Sequence, residues 1–201
     1  KALLVGDGIE LHAKTSSYRQ WVSALKAYAI KPTTQAQLGY WQDTVERIPR
    51  IFKDTTTRGC EESFEVVLND SQTHLLLHKS NFAYNTQIND LLLTALALAF
   101  AETFEVNCLP LSLESHGREH VIENVDVSET VGWFTSIYPV VLDLGVKAFD
   151  NSDEAIAYQI KSIKEQLRSI PDMGLSYGVL KHFVDDNIQL QLTQKNQPAI
   201  E

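Results

Sequence analysis

The amino-acid sequence predicts an α/β or α+β fold in which helices and strands pack in layers. Its 201 residues are 44% hydrophobic and 21% charged, which is the composition of an ordinary globular protein. Apolar residues recur at helical spacing in some segments and alternate, as in strands, in others. Helices and strands that follow one another along a chain pack as layers around a common core.

Two helices are predicted within the first fifty residues. Over residues 17–30 apolar side chains recur at three- and four-residue spacing, at Tyr18, Trp21, Val22, Leu25, Tyr28 and Ala29. Ser16 or Ser17 can cap the first turn. A shorter helix is predicted over residues 38–47 and ends before Pro49.

The middle of the chain is predicted to hold a hairpin followed by a long helix. Strands over residues 63–69 and 73–78 flank the tetrapeptide Asn-Asp-Ser-Gln, whose residue types are typical of turns. The helix over residues 86–104 is apolar almost all round from Leu91 to Phe100. We therefore expect it to be buried on both sides.

Two strands and a further helix are predicted in the last hundred residues. The strands cover residues 104–113 and 135–144, and they contain Pro110 and Pro139, which need edge or bulge positions. The helix covers residues 151–170, with Ile156, Ile160 and Ile163 among its apolar residues. Pro171 ends it.

Charge is distributed unevenly along the chain. Residues 1–60 hold nine basic and five acidic side chains, whereas residues 61–201 hold eight and 21, which together give the net charge of −9. This balance argues against general nucleic-acid binding, which needs a basic surface.

The longest apolar run, residues 91–101, is far shorter than the ~20 residues that span a bilayer. Cys60 and Cys108 form no metal or disulfide pattern, and we expect a cytoplasmic protein.

The densest group of ionisable residues is Glu114-Ser115-His116-Gly117-Arg118-Glu119-His120, which follows the predicted strand ending at residue 113. A carboxylate, an imidazole and a guanidinium at the end of a strand are typical of an acid–base site. A loop held together by salt bridges of Arg118 is the alternative explanation.

Residues 116–120 also match the His-x-x-Glu-His pattern of a class of zinc peptidases. That chemistry needs both histidines on one face of a helix. Gly117 and the preceding strand argue against such a helix, and no third ligand follows. We therefore predict no metal site here. His74 and His78 lie in a predicted strand, where their spacing is typical of a half-exposed surface.

Two further groups follow, over residues 130–139 and 171–178. The first combines a glycine with aromatic and hydroxyl side chains, which predicts a loop packed against the core or the wall of a substrate channel. The second is a turn with two glycines, which allow another chain or a ligand to approach the backbone.

In this order, the groups resemble the motifs of the epimerization domains of nonribosomal peptide synthetases, within the condensation-domain superfamily. Residues 114–119 are similar to a Glu-Gly-His-Gly-Arg-Glu motif, and residues 129–139 to Arg-Thr-Val-Gly-Trp-Phe-Thr-x-x-Tyr-Pro. Residues 171–178 match Pro-x-x-Gly-x-x-Tyr-Gly, and residues 90–95 match Asp-x-Leu-Leu-x-Ala. Two family motifs, His-His-x-x-x-Asp-Gly and Phe-Asn-Tyr-Leu-Gly-Gln, do not occur in the chain.

The resemblance implies a chloramphenicol-acetyltransferase-like fold, of which this chain would hold the C-terminal half. Residues 1–58 would form the end of the N-terminal lobe and the crossover, and residues 59–201 the C-terminal lobe. The break in charge falls at the same place. The partners implied are the missing half of the domain and a peptidyl carrier domain, with no nucleic acid and no membrane.

The resemblance also implies a chemistry. An L-aminoacyl or peptidyl thioester on a carrier domain would be converted to the D-form by removal and return of the Cα proton. Glu114 would be one acid/base group and the second histidine of the missing motif the other. His116, Arg118 and Glu119 would support the site, and Trp133 and Tyr138 would line the channel or the core. The apolar strand before Glu114 predicts a carboxyl partly shielded from water. The domain would need no cofactor of its own, because 4′-phosphopantetheine arrives on the carrier.

The chain departs from the family pattern at Ser115 and Glu129, which stand where the family has glycine and arginine. Glu129 puts in doubt any contact that the arginine makes, and Ser115 would be strained if its φ were positive. Two alternatives therefore stay open: a condensation domain that forms peptide bonds, and a non-catalytic module that docks a carrier.

Overall fold

The computed structural model describes residues 13–51, 63–145, 152–193 and 198. Its α-helices are α1 (Tyr18–Ala29), α2 (Pro32–Gln35), α3 (Leu38–Glu46), α4 (Asp70–His78), α5 (Ile88–Phe104), α6 (Asp153–Arg168), α7 (Leu175–His182) and α8 (Asp186–Thr193). Short 3₁₀ turns cover Ser80–Phe82 and Pro171–Gly174. Strands β1 (Cys108–Ser115) and β2 (Ser136–Asp143) form an antiparallel pair. Within these ranges, no helix has the length and apolar composition that crossing a bilayer requires.

The two N-terminal helices form where the sequence predicts them. Ser17 caps α1 by accepting a hydrogen bond from the backbone N–H of Gln20, whose side chain in turn accepts one from the Ser17 N–H. This reciprocal capping box satisfies donors that the first turn leaves free. Trp21 of α1 and Trp41 of α3 are both buried, so each helix contributes an aromatic anchor to the core.

The predicted hairpin over residues 63–78 is wrong. Residues 63–69 form no regular secondary structure, and Asn69 caps helix α4 through a capping box with Gln72. Asparagine accepts backbone hydrogen bonds in turns and at helix starts alike, so the residue types did not distinguish the two. His74 and His78 therefore lie one helical turn apart, with ring centroids separated by 4.9 Å.

Helix α5 confirms the predicted long helix, but its predicted burial on both sides is wrong for the described residues. Ala97 and Ala101 are fully buried, whereas Leu92 and Leu96 are 49% and 41% exposed. The helix packs mainly on α6 and β1. The two leucines lie outside that contact, so one side of the helix stays in water among the described residues.

The hairpin of β1 and β2 lies at the centre of the larger core. Cys108 pairs with Asp143 at one end of the ladder and Ser115 pairs with Ser136 at the other. Both backbone polar groups of Asp143 bond to the Gln166 side chain, at 2.7 and 2.8 Å. The backbone N–H and C=O groups of Asp143 therefore point away from β1. Because these groups alternate in direction along an antiparallel ladder, the backbone groups of Pro110 and Pro139 also point away from the partner strand. Both prolines thus occupy the edge positions that the sequence predicts.

Two clusters of buried residues hold the elements together. The larger is formed by Trp41, Val45, Ile48, Ala97, Phe100, Ala101, Leu109, Leu111, Tyr138, Val140, Val141, Leu142, Leu144, Ile163, Tyr177, Leu180 and Leu192. The smaller is formed by Trp21, Tyr28, Ala29, Ile122, Val127, Phe134, Leu175 and Val179. Each cluster combines residues from before and after the predicted lobe boundary, which itself lies outside the described residues.

Candidate active site

The predicted acid/base residue Glu114 lies near the exposed end of β1. It pairs with Ile137 across the hairpin, and both residues are exposed. The predicted shielding of the Glu114 carboxyl from water is wrong for the described residues, because the buried part of β1 is residues 109–111 and Glu114 itself is exposed. Within the described ranges no hydrogen bond or ion pair involves its side chain.

Ser115 is accommodated where the family has glycine. It lies within β1, and the residues with positive φ in the described ranges do not include it. Its hydroxyl lies 2.8 Å from that of Ser136 on the partner strand. Neither strain nor a buried unpaired hydroxyl results from the substitution.

Gly117 turns the chain away from the hairpin, and glycine is required at this position. Its φ is +68°, and an added Cβ would lie 1.7 Å from the carbonyl oxygen of Phe134. Residues 116–120 form no helix. The helical presentation that the zinc-peptidase pattern needs is therefore missing. Within the described ranges, no three His, Cys, Asp or Glu residues converge to hold a metal ion.

Arg118 ties the loop over residues 116–134 together. Its guanidinium donates hydrogen bonds to the carbonyl of Val127, to that of Thr130 at 2.9 Å and to that of Gly132 at 3.4 Å. It also lies 4.1 Å from the centroid of the Phe134 ring, which gives a cation–π contact. Among the described residues Arg118 thus contacts backbone and ring, and it does not make the salt bridges of the alternative explanation.

His116 and Glu119 are neighbours within the same loop. The Nδ1 atom of His116 accepts a hydrogen bond from the Arg118 backbone N–H at 3.0 Å, so the neutral imidazole carries its proton on Nε2. Nε2 lies 3.7 Å from the Glu119 carboxylate. The His116 side chain is 70% exposed and that of Glu119 only 9%. Both residues line a shallow depression of about 360 Å³ together with Arg118, His120 and residues 125–128.

The two aromatic residues predicted to line the channel or the core take different positions. Tyr138 is buried and contacts Trp41, with ring centroids 6.2 Å apart. Burial raises the pKa of its hydroxyl, and the nearby negative charge of Glu119 raises this pKa further. Trp133 is 78% exposed. It is therefore not part of the core, and it could line a channel only if another segment covered it.

Exposure alternates along the segment that leads into β2. Phe134, Ser136 and Tyr138 are buried, whereas Trp133 and Ile137 are exposed. This period of two is that of an extended chain with one face against the core. Trp133 and Ile137 therefore lie on the outward face, the same face as Glu114.

Hydrogen bonds that the sequence does not predict join the start of α1 to the loop over residues 116–134. The Ser16 backbone N–H donates to the carbonyl of Asp126 at 2.7 Å, and the Thr130 hydroxyl donates to the carbonyl of Ser16 at 2.5 Å. The Tyr18 hydroxyl donates to the carbonyl of Trp133 at 3.1 Å. Residues more than a hundred positions apart make these bonds, and no local pattern encodes them.

The turn over residues 171–174 holds the other side of Tyr138. Asp172 and Met173 have φ values of 46° and 51°, in the left-handed region. Gly174 faces the ring so closely that an added Cβ would lie 1.8 Å from it. The group that approaches Gly174 is thus Tyr138 of the same chain, whereas the sequence predicts another chain or a ligand at this turn. The Asp172 carboxylate accepts hydrogen bonds from the Tyr28 hydroxyl and, at 2.7 Å, from the Gln37 side chain.

Comparison with known proteins identifies the family. A family model for the condensation domain matches residues 1–199. The chain belongs to the condensation-domain family. It is 37% identical to bacitracin synthase 3 of Bacillus licheniformis, over 91% of this chain and 3% of that protein. It is also 37% identical to tyrocidine synthase 1 of Brevibacillus parabrevis, over 98% of this chain and 18% of that protein.

Solved condensation-family structures confirm the predicted chloramphenicol-acetyltransferase-like fold. The epimerization domain from the third module of tyrocidine synthetase B is 34% identical, with a TM-score of 0.74 over 98% of this chain and 44% of that one. The first condensation domain of the calcium-dependent antibiotic synthetase, solved with a substrate analogue, is 15% identical, with a TM-score of 0.64 over 98% and 40%. The chain therefore spans less than half of each solved domain.

Proposed function

We propose that this chain carries one side of an epimerization site that acts on an L-aminoacyl or peptidyl thioester held by a carrier domain. The observation that carries the proposal is the state of Glu114. Arg118 is bonded to three carbonyls and His116 lies against Glu119, whereas no described residue bonds to the Glu114 carboxylate. Among the acid/base side chains of this motif, it is thus the one that no described residue engages.

The comparisons support epimerization over the other activities of the family. At the same coverage of this chain, identity is 34% to the solved epimerization domain and 15% to the solved condensation domain. Residues 116–119 also read His-Gly-Arg-Glu, as in the epimerization-domain motif that the chain resembles.

The proposed reaction needs a base, a proton donor on the opposite face of Cα and a partner for the enolate oxygen. A thioester acidifies its α-proton because the resulting carbanion delocalises onto the carbonyl oxygen. Glu114 would serve as one of the two proton-transfer groups. The other group and the donor to the enolate oxygen would come from the N-terminal part of the domain, outside the described residues. We place the boundary between the two lobes near residue 58.

The cofactor and partner follow from the same proposal. The substrate would arrive as a thioester of 4′-phosphopantetheine on a peptidyl carrier domain, as in the synthetases that this chain is similar to, and the reaction would take place in the cytoplasm. Arg118 and Glu119 would hold the loop beside the thioester, and the exposed Trp133 would border its path.

A condensation activity is the second candidate, because the matching family model is that of the condensation domain. In that case the product would be an amide formed with a downstream aminoacyl carrier, with unchanged stereochemistry at Cα. A module that only docks carriers would bind the loaded carrier and give neither product.

The test replaces Glu114 with glutamine in the full-length polypeptide that carries this chain. We expect Glu114→Gln to slow the exchange of the substrate's α-proton with solvent deuterium by at least about 100-fold. The matched control is Glu102→Gln, which changes an exposed glutamate on α5. Exchange at the parent rate in Glu114→Gln would refute the assignment, and amide product without exchange would favour condensation.

A further inference from the structure

Ile137 is an apolar residue exposed at the candidate site. It is 58% exposed within a strand whose neighbouring residues, Ser136 and Tyr138, are buried. The same face of the hairpin is buried further along, at Pro110, Pro139 and Val141. Among the apolar residues on this face of the hairpin, exposure above one half is thus found at the end that carries Glu114.

Ile137 lies directly beside Glu114. The two residues are directly opposite each other in the register. Asp143 belongs to a non-hydrogen-bonded pair, because its backbone groups bond to Gln166, and every second pair from it, including that of Glu114 and Ile137, is of the same kind. In such pairs the Cα atoms are about 4.5 Å apart, and both side chains project from the same face. A molecule in contact with the Glu114 carboxyl is therefore within reach of the Ile137 side chain.

We infer that Ile137 contacts the side chain of the substrate amino acid and favours apolar ones. The inference rests on the proposed function. A base that removes the Cα proton must approach to about 3 Å, so the other substituents of Cα lie next to Ile137. Two of them, the nitrogen and the thioester carbonyl, need polar partners once water is displaced, and an isoleucine side chain offers none. The substrate side chain is the remaining substituent.

Size discrimination follows from this contact. A large apolar side chain displaces more water from Ile137 than a methyl group does, and a contact of this kind with one side chain changes kcat/KM by about tenfold in total. Truncation of Ile137 should therefore slow epimerization of leucyl thioesters and leave alanyl thioesters nearly unaffected.

The test measures α-proton exchange of carrier-bound leucyl and alanyl thioesters with the full-length polypeptide that carries this chain. We expect Ile137→Ala to lower the leucyl-to-alanyl ratio of kcat/KM by about tenfold and Ile137→Val to lower it by about threefold. The milder Ile137→Val keeps the test decisive if Ile137→Ala folds poorly. The control is Ile30→Ala, which truncates an isoleucine that is 71% exposed at the end of α1.

Glu114→Gln, measured in parallel, separates the two ideas. An unchanged ratio in both Ile137 variants, with Glu114→Gln inactive, overturns this inference and leaves the proposed function standing. Full exchange in Glu114→Gln overturns the proposed function and, with it, the inference.

Discussion

Replacement of Arg118 by methionine removes the cation that holds the loop over residues 116–134 and keeps most of the side chain's apolar volume. The shorter hydrogen bonds of Arg118, to the carbonyls of Val127 and Thr130, are made at a half-buried position. At such a position each contributes about 1 kcal/mol net. The contact with the Phe134 ring adds about 0.5–1 kcal/mol. We therefore expect the free energy of unfolding to fall by about 3 kcal/mol.

The assay is thermal unfolding of the chain followed by far-UV circular dichroism. For a protein of this size a loss of 1 kcal/mol lowers the midpoint by about 2–4 °C, so Arg118→Met should lower it by about 6–12 °C. Arg118→Lys should recover less than half of the loss, because an ammonium group lacks the planar fork that reaches several carbonyls. Arg19→Met, at an exposed position on α1, is the control. A midpoint for Arg118→Met within about 2 °C of that control would refute the reasoning.

Two further predictions concern Gly117 and the buried tyrosines. Gly117→Ala should lower the free energy of unfolding by about 2–3 kcal/mol, because the new Cβ meets the Phe134 carbonyl at a positive φ. The control, Gly39→Ala, lies in open space within α3 and should raise the free energy of unfolding slightly. Equal effects of the two substitutions in urea unfolding would contradict the predicted steric clash at Gly117. Burial raises the pKa of Tyr28, Tyr40 and Tyr138, so the folded state keeps protons that the unfolded chain releases near pH 10. These three tyrosines should leave the free energy of unfolding unchanged below about pH 10 and lower it as the pH rises above that value. The decrease should be shallower in Tyr28→Phe. The same free energy of unfolding in urea at pH about 9 and about 11 would contradict this prediction.

The sequence was most informative where structure is determined locally. Helix α1 begins at Tyr18, and of the two predicted caps it uses Ser17, because Ser17 and Gln20 satisfy the first-turn donors by themselves. The same local chemistry misled at Asn69, which suits a turn and a helix start equally. Strand β1 begins at Cys108 rather than at residue 104, because helix α5 continues to Phe104 and Glu105 then turns the chain in the left-handed conformation.

The candidate site was predictable in its residues but not in their partners. The cluster from Glu114 to His120 stands out in the sequence, whereas the carbonyls that Arg118 binds belong to residues with no distinguishing side chains. Ile137 becomes a candidate only once the register places it opposite Glu114. Such relations depend on how distant segments pack, and a single sequence carries no direct signal of them.

The position of Gln166 affects whether the outer edge of β2 can pair with a strand of another molecule. A β-strand edge with free backbone groups can recruit a strand from another molecule and so begin aggregation. On the outer side of β2, the side-chain amide of Gln166 already occupies both groups of Asp143. Pro139 lacks the N–H that an incoming strand would need on the same side. On β1, Pro110 has the same effect. Both margins of this hairpin are therefore poor templates for intermolecular sheet formation.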